Sequence, residues 1–152
     1  MHTLEPIIAK LPFFEGLDPQ YVELLAGCAT NVVFKADTFL FREGDEAKQF
    51  FVIREGGISI EIFVPGQGHV TIQSVDEGDV VGWSWLFPPY RWMFTGRVIV
   101  PVRAIALDGE CLRKKCEEDP RLGYEFFKRF SHLLVERLQA TRLQLLDMYS
   151  VH

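Results

Sequence analysis

The strongest constraint on this chain is a change in its hydrophobic period. From Val32 to about Leu107 apolar and polar residues alternate at the spacing of an extended strand, whereas the stretches on either side repeat at helical spacing. The segments Val32-Val33-Phe34, Thr38 to Arg42, Phe50 to Arg54, Gly57 to Val64, His69 to Val75 and Phe94 to Leu107 are rich in β-branched and aromatic residues and read as strands. Glu43-Gly44-Asp45, Glu55-Gly56-Gly57, Pro65-Gly66-Gln67-Gly68 and Glu77-Gly78-Asp79 separate them, because Gly tolerates positive φ and Asp bonds its own backbone. Strands this short and this regularly spaced predict a sandwich or barrel, not an open parallel sheet.

Helices flank this body. Leu4, Ile7, Ile8 and Leu11, followed by Phe13 and Phe14, mark a short amphipathic helix running into a loop. Asp18-Pro19 reads as N-cap and first helical residue of a second helix, which turns Tyr21, Leu24, Leu25 and Cys28 inward and ends near Gly27 to Asn31. Asp119-Pro120 repeats the device, and no Pro or Gly interrupts the chain from there to Tyr149 after Gly123. Phe127, Ser131, Leu134, Leu138, Thr141, Leu145 and Met148 fall at alternating steps of four and three, the seam of a coiled coil. Phe126, Phe130 and Leu133 form a neighbouring stripe. A helix of about 30 residues extends about 45 Å, longer than the β-body should cover, so part of it is expected to meet another subunit. The alternative is that both stripes fold back on the body. The chain reads as one domain over 1–152, with N-terminal helices in 1–31, the β-body in 32–108 and C-terminal helices in 109–149.

At 152 residues, with 48% hydrophobic and 24% charged, the chain has enough apolar surface for a core without a metal or disulfide staple. No apolar run approaches the roughly 20 residues of a membrane span, and Met1 to Lys10 lacks the order of a secretory signal, so a soluble, cytoplasmic protein is expected. Cys28, Cys111 and Cys116 are odd in number and lack CxxC spacing, which predicts free, buried thiols in a reducing compartment. No metal is expected: zinc would need His132 as a partner, and no fourth ligand is in sight. Residues 1–111 carry 8 basic and 15 acidic side chains, and 112–152 carry 8 and 6. Such an acidic body disfavours nucleic acid. The GxSxG, P-loop, HExxH and EF-hand patterns are missing, and with no paired nucleophile and base no catalytic residues are assigned and no enzyme is expected. His69, His132, Arg97 and Arg103 are expected to face solvent, and Arg113-Lys114-Lys115 to lie in a solvated linker.

Leu11-Pro12-Phe13-Phe14 with Leu17, then Phe39-Leu40-Phe41-Arg42-Glu43-Gly44-Asp45, Phe50-Phe51-Val52-Ile53, Gly57 and Gly78-Asp79-Val80-Val81-Gly82 together resemble the cyclic-nucleotide-binding domain family. This family includes catabolite-activator-type (Crp/Fnr-type) bacterial regulators and kinase regulatory subunits. The resemblance runs from Leu4 to Tyr149. It implies a mainly β fold with flanking helices, a double-stranded β-helix or jelly-roll-like β-roll of about eight strands, and a long C-terminal helix that commonly dimerises. The seam positions Phe127, Leu134, Leu138, Thr141, Leu145 and Met148 are the implied homodimer interface.

In the family, a Gly-Glu pair opens a short helix and an Arg follows in an Arg-x-Ala-Thr pattern. The Glu binds the ribose, and the Arg together with exposed N–H groups binds the cyclic phosphate. Here Gly82, Leu86 and Thr95 match in spacing, Trp83 stands at the Glu position, and Trp92 stands at the Arg position with Arg91 one residue early. Losing a charged acceptor costs about 1 to 3 kcal/mol, or roughly one to two decades of affinity. Arg91 is then the best remaining anion contact and Ser84 a weak substitute on the ribose. All three tryptophans, Trp83, Trp85 and Trp92, lie in this stretch. They either line an aromatic pocket for a flat ligand or fill the cavity as core.

These readings predict a non-catalytic sensor of a small molecule, with a cyclic nucleotide held weakly or another ligand in its place, and no other cofactor. Signalling would run through the dimer helix, by shifting an equilibrium between two arrangements. The competing expectation is a ligand-free dimeric scaffold that docks a partner protein. Relatives of the catabolite-activator type continue into a helix-turn-helix domain, whereas this sequence stops at His152, so no DNA binding by the chain alone is expected.

Overall fold

A computed structural model describes residues 4–150 of the chain. Met1 to Thr3, which open the segment read as lacking a signal, and the last two residues to His152 lie outside the described residues.

Helix α1 spans Glu5–Ala9 and buries Ile8; a single 3-10 turn at Pro12–Phe14 then buries Phe14. Helix α2 covers Pro19–Ala26, and the Asp18 carboxylate accepts the Gln20 N–H at 3.0 Å, as an N-cap should. Tyr21, Val22 and Leu25 are its buried face. The helix ends at the near edge of the expected range, with Gly27 as its C-cap, because strand β1, Ala29–Phe34, finds a partner: its register runs from Ala29 opposite Leu107 to Phe34 opposite Val102.

The other strands are β2 (Phe39–Phe41), β3 (Gln49–Val64), β4 (Gly68–Val75), β5 (Val80–Val81) and β6 (Thr95–Asp108). They form one antiparallel sheet in the order β1-β6-β3-β4, with β2 added to β6 and β5 to β3. The architecture is mainly β and jelly-roll-like, with helices at both ends. Its strands number 6 because β3, with 16 residues, and β6, with 14, each run through both halves of the body. The expected turn at Glu55-Gly56-Gly57 is instead a bend inside β3, where the register against β6 shifts repeatedly between Ile53 and Ile58. Gly56 makes the bend possible. Its φ is +100°, and a Cβ there would lie 2.2 Å from the Pro101 carbonyl oxygen, so the two backbones approach as only glycine allows.

Inside the bent sheet, Phe41, Phe51, Ile53, Ile58, Ile60, Val98 and Val102 form one buried cluster that also takes in Trp92 and Phe94. Glu61 of β3 is buried as well, 3% exposed, and its Oε2 accepts from Arg97 Nε and Nη2 at 2.9 Å each. Arg97 is therefore not the solvated residue expected from the sequence. Arg103 is, with only Glu55 3.7 Å away.

Helix α3, Gly109–Glu118, follows β6 directly, so Arg113-Lys114-Lys115 is helical and not a linker. The cysteine expectation is also overturned: Cys28 and Cys111 are disulfide-bonded, with Cα atoms 6.1 Å apart. The reason is the β1–β6 register. Ala29 opposite Leu107 sets Cys28 beside the end of β6, where the Asp108 N–H donates to the Cys28 carbonyl at 2.9 Å, and the first turn of α3 brings Cys111 round to it. Pairing across 83 residues leaves no trace in local spacing. Cys116 remains a free thiol.

The chain divides into two compact units, residues up to Lys114 and residues from Lys115 on. In the second unit the Asp119 carboxylate caps helix α4, Pro120–Ser150, by accepting the Arg121 N–H at 3.1 Å. Gly123 lets α4 pass close to the end of α3, since a Cβ there would lie 3.3 Å from the Cys116 carbonyl. Burial, then the charges of Asp119 and Glu117, push the Cys116 thiol up to about 11. On α4 the Arg129 guanidinium bonds Glu125 and, helped by Lys128, holds its carboxyl below the usual value. Phe126 and Phe130 are buried and stack at 6.3 Å. Of the seam, Phe127, Leu138, Leu145 and Met148 are 47–74% exposed, Thr141 is exposed and Leu134 is half-buried.

Candidate functional site

Thr95 opens β6; the stretch from Gly82 to Phe94 lies between β5 and β6 and is irregular apart from a single bridge between Arg91 and Glu46. It opens with a tight turn, not a helix: the Leu86 N–H donates to the Trp83 carbonyl at 3.0 Å. The Pro88–Pro89 bond is cis, and Tyr90 has φ +58°. Residues 90–92 are then strapped onto the loop after β2 by backbone bonds. Tyr90 O accepts from Ala47 N, Trp92 O from Gly44 N, and Trp92 N donates to Asp45 O, all at 2.7–2.9 Å.

This strap decides where Arg91 and Trp92 go. Neighbouring residues on extended backbone face opposite sides, so one inward ring turns the next side chain out. Trp92 goes in. Its ring lies flat on Phe41, with centroids 3.8 Å apart and planes at 9°, and only 5% of the residue is exposed. The same indole covers Gly82: at φ +101°, a Cβ on that residue would lie 2.6 Å from Trp92 Cη2. Phe94 tilts onto Phe41 at 5.7 Å, and Trp83, half-buried, meets Phe94 edge-on at 5.4 Å. Arg91 is exposed and donates from Nη1 to the Gly44 carbonyl at 3.2 Å. It lines a separate polar cleft of about 320 Å³ with Lys48, Arg113, Glu46, Asp108 and Glu110.

Of the residues singled out from the sequence, Gly82, Trp83 and Trp92 thus converge inside the β-roll with Phe41 and Phe94. Thr95 is buried nearby and uses its Oγ1 to accept the Glu43 N–H at 2.9 Å, fixing the loop after β2. Ser84 is 5% exposed and its hydroxyl has no hydrogen-bond partner. Leu86 is buried. Trp85 is fully buried away from the Trp92 cluster, stacked on Phe50 at 5.2 Å. Arg91 does not join the group.

Two participants escape sequence reasoning. Phe41 supplies the ring on which Trp92 rests, but it reads as an ordinary strand aromatic. Arg113 donates from Nη1 to the Trp85 carbonyl and holds its guanidinium 4.3 Å over the Tyr90 ring, so α3 grips this segment at two points. Its place in a short basic cluster carries no such signal. Among the described residues, His, Cys, Asp and Glu side chains nowhere form a group of three suited to a metal ion, and no helix is long and apolar enough to cross a membrane.

The comparisons with known proteins agree with this architecture. The CRP-like cAMP-activated global transcriptional regulator of Mycobacterium tuberculosis is 23% identical over 145 residues, covering 95% of this chain and 63% of the regulator. The chain therefore spans less than two thirds of that relative's length. A solved cyclic nucleotide-binding domain from Methylobacillus flagellatus superposes with a TM-score of 0.80 at 21% identity, over 95% of this chain and 82% of that one, a likeness of fold. A Geobacter metallireducens protein of the cyclic-nucleotide-binding type superposes with a TM-score of 0.79 at 25% identity, over 91% and 99% of the two chains. Residues 31–119, more than half the sequence, match the model of the cyclic nucleotide-binding domain. On that match, and with the sensor-domain fold that the β-roll displays, the chain belongs to the cyclic nucleotide-binding domain family.

Proposed function

We propose that the chain is a non-catalytic regulatory module of this family whose nucleotide niche is closed by its own Trp92, and which acts as a homodimer through α4. The observation that carries this reading is the indole packed on Phe41 and over Gly82, at the position where relatives place the phosphate-binding Arg. A cyclic phosphate would have to displace a ring buried in the core and would then find Arg91 directed elsewhere. The output would pass to a partner protein through the pairing of two chains, not through a metabolite.

The exposed seam supports the dimer: Phe127, Leu138, Leu145 and Met148 place apolar surface at coiled-coil spacing on a helix of 31 residues. Sedimentation equilibrium should show a dimer for the unaltered chain and a monomer for Leu138→Glu with Leu145→Glu.

The closed niche is tested by thermal shift with cyclic AMP and cyclic GMP at millimolar concentration. A ligand at about a hundred times its Kd adds about 2.7 kcal/mol to a folded state that alone binds it, a rise of several degrees in Tm. The unaltered chain should show no rise, whereas Trp83→Glu with Trp92→Arg should respond. A second reading, weak binding by displacement of Trp92, is favoured by the buried, partnerless Ser84 hydroxyl. A clear rise with the unaltered chain would establish it and overturn the first.

A further inference from the structure

We propose that Cys28 and Cys111 form a reversible thiol–disulfide site, opened by a dithiol reductant, that sets whether α3 holds the tryptophan-bearing segment 83–92. This goes beyond the closed niche and does not depend on it. The bond lies on the wall of an open cleft of about 270 Å³, formed also by Gly27, Thr30, Gln49 and Asp108. Cys28 is 7% exposed and Cys111 half-buried, so an incoming thiolate reaches the Cys111 sulfur and Cys28 is the leaving group. Cys116 does not compete for the bond, since its thiol is held protonated by burial and by two neighbouring carboxylates.

Exchange is balanced by the reductant. One thiolate of the dithiol attacks Cys111, the Cys28–Cys111 bond breaks, and Cys28 leaves as a thiolate that takes up a proton. The second thiol of the reductant then attacks the mixed disulfide and releases Cys111. Two electrons and two protons pass from the dithiol to the pair, and the dithiol leaves as a cyclic disulfide.

The position of the bond gives this chemistry a consequence. Two residues along a helix correspond to about 200° around its axis, so Cys111 and Arg113 hold α3 from nearly opposite flanks, with the fully buried Leu112 between them. On one flank the disulfide anchors the first turn to the start of β1. On the other, Arg113 grips the Trp85 carbonyl and the Tyr90 ring. With the bond open, the junction of β6 and α3 still keeps hydrogen bonds from Asp108 N to Cys28 O at 2.9 Å, from Gly109 N to Lys48 O at 2.7 Å and from Cys111 N to Asp108 Oδ1 at 3.1 Å. Those ties tolerate a rotation of the turn that the covalent bond forbids, and any rotation moves Arg113 against Trp85.

The test uses the full chain under native conditions, without nucleotide, before and after millimolar dithiothreitol. Free thiols, counted by maleimide labelling in denaturant once the reductant has been removed, should rise from one to three per chain, the full cysteine complement. Tryptophan emission should shift as they do, because all three indoles lie in the segment, and oxidised glutathione should restore it. Arg113→Met should keep the thiol change and lose the emission shift. The proposal is overturned if the bond resists dithiothreitol until the protein is denatured, if emission ignores reduction, or if Arg113→Met shifts as fully as the unaltered chain. None of these readouts involves nucleotide, so their failure leaves the closed-niche reading intact.

Discussion

The β3–β6 ladder and the Gly82 to Thr95 segment both bury aromatic and aliphatic side chains in the same β-roll, yet they are ordered by different physics. Along the ladder, backbone pairing fixes which face each residue takes, and the side chains follow a period of two. In the segment, backbone pairing is limited to the short strap at residues 90–92, and side-chain partners far along the chain hold the rings in place: Phe41 takes Trp92, Phe50 takes Trp85 and Arg113 takes Tyr90. Order imposed by a ladder is spread over many small bonds. Order imposed by partners rests on a few large contacts, and single substitutions should expose the difference.

The ladder has one point where it fails as a whole. Val at position 56 needs positive φ, which β-branched residues avoid, and puts Cβ into the Pro101 carbonyl. Gly56→Val should lose about 4 kcal/mol or more, a large share of an ordinary domain's stability. Urea denaturation followed by circular dichroism measures it; a loss below about 1 kcal/mol would mean that β3 and β6 separate easily at the bend.

In the segment the largest effect belongs to Trp92. Trp92→Ala removes the ring stacked on Phe41 and leaves a cavity over Gly82, a change that costs about 3 to 5 kcal/mol in well-packed cores. The same denaturation curve checks the cost. Soaking with a small aromatic such as indole should recover part of it, since a dry apolar cavity takes such a guest.

Within the ladder, the Glu61–Arg97 pair joins a buried carboxylate of β3 to a half-buried guanidinium of β6. Removing one partner of a fully buried pair costs about 3 to 5 kcal/mol. Arg97 is 37% exposed, so water reaches the pair, and Arg97→Met should cost about 2 kcal/mol. Adding Glu61→Gln to that variant should restore part of the loss, because an unpaired buried carboxylate is then gone; no recovery would show that Arg97 acts by packing its stem.

What the sequence discloses divides along the same line. Asp18-Pro19 and Asp119-Pro120 mark helix starts because capping is settled within three residues, and the strands show because alternation is local. Glu55-Gly56-Gly57 misleads because a glycine needed for close approach looks the same as one needed for a turn. Trp83 and Trp92 stand out in the family's nucleotide segment, but that Trp92 would take the niche and Arg91 leave it depends on Phe41, about a third of the chain away. The Cys28–Cys111 bond depends on the β1–β6 register, and the Arg113 grip on α3 meeting the segment after β5, neither of which a short window contains.

Arg91 offers the smallest effect and the sharpest contrast, since it shares a strap with Trp92. Its one recorded side-chain bond is to an exposed carbonyl at 3.2 Å, and surface substitutions of this kind stay within about 0.5 kcal/mol. The strap itself is held by backbone groups of Tyr90 and Trp92, which Arg91→Ala leaves alone. Stability should therefore be unchanged within that range, and tryptophan emission should match the unaltered chain. Two adjacent residues would then differ by several kilocalories for no reason beyond the face each presents. A loss near that of Trp92→Ala would mean that the guanidinium and the polar cleft around it, not the stacked ring, keep the segment closed.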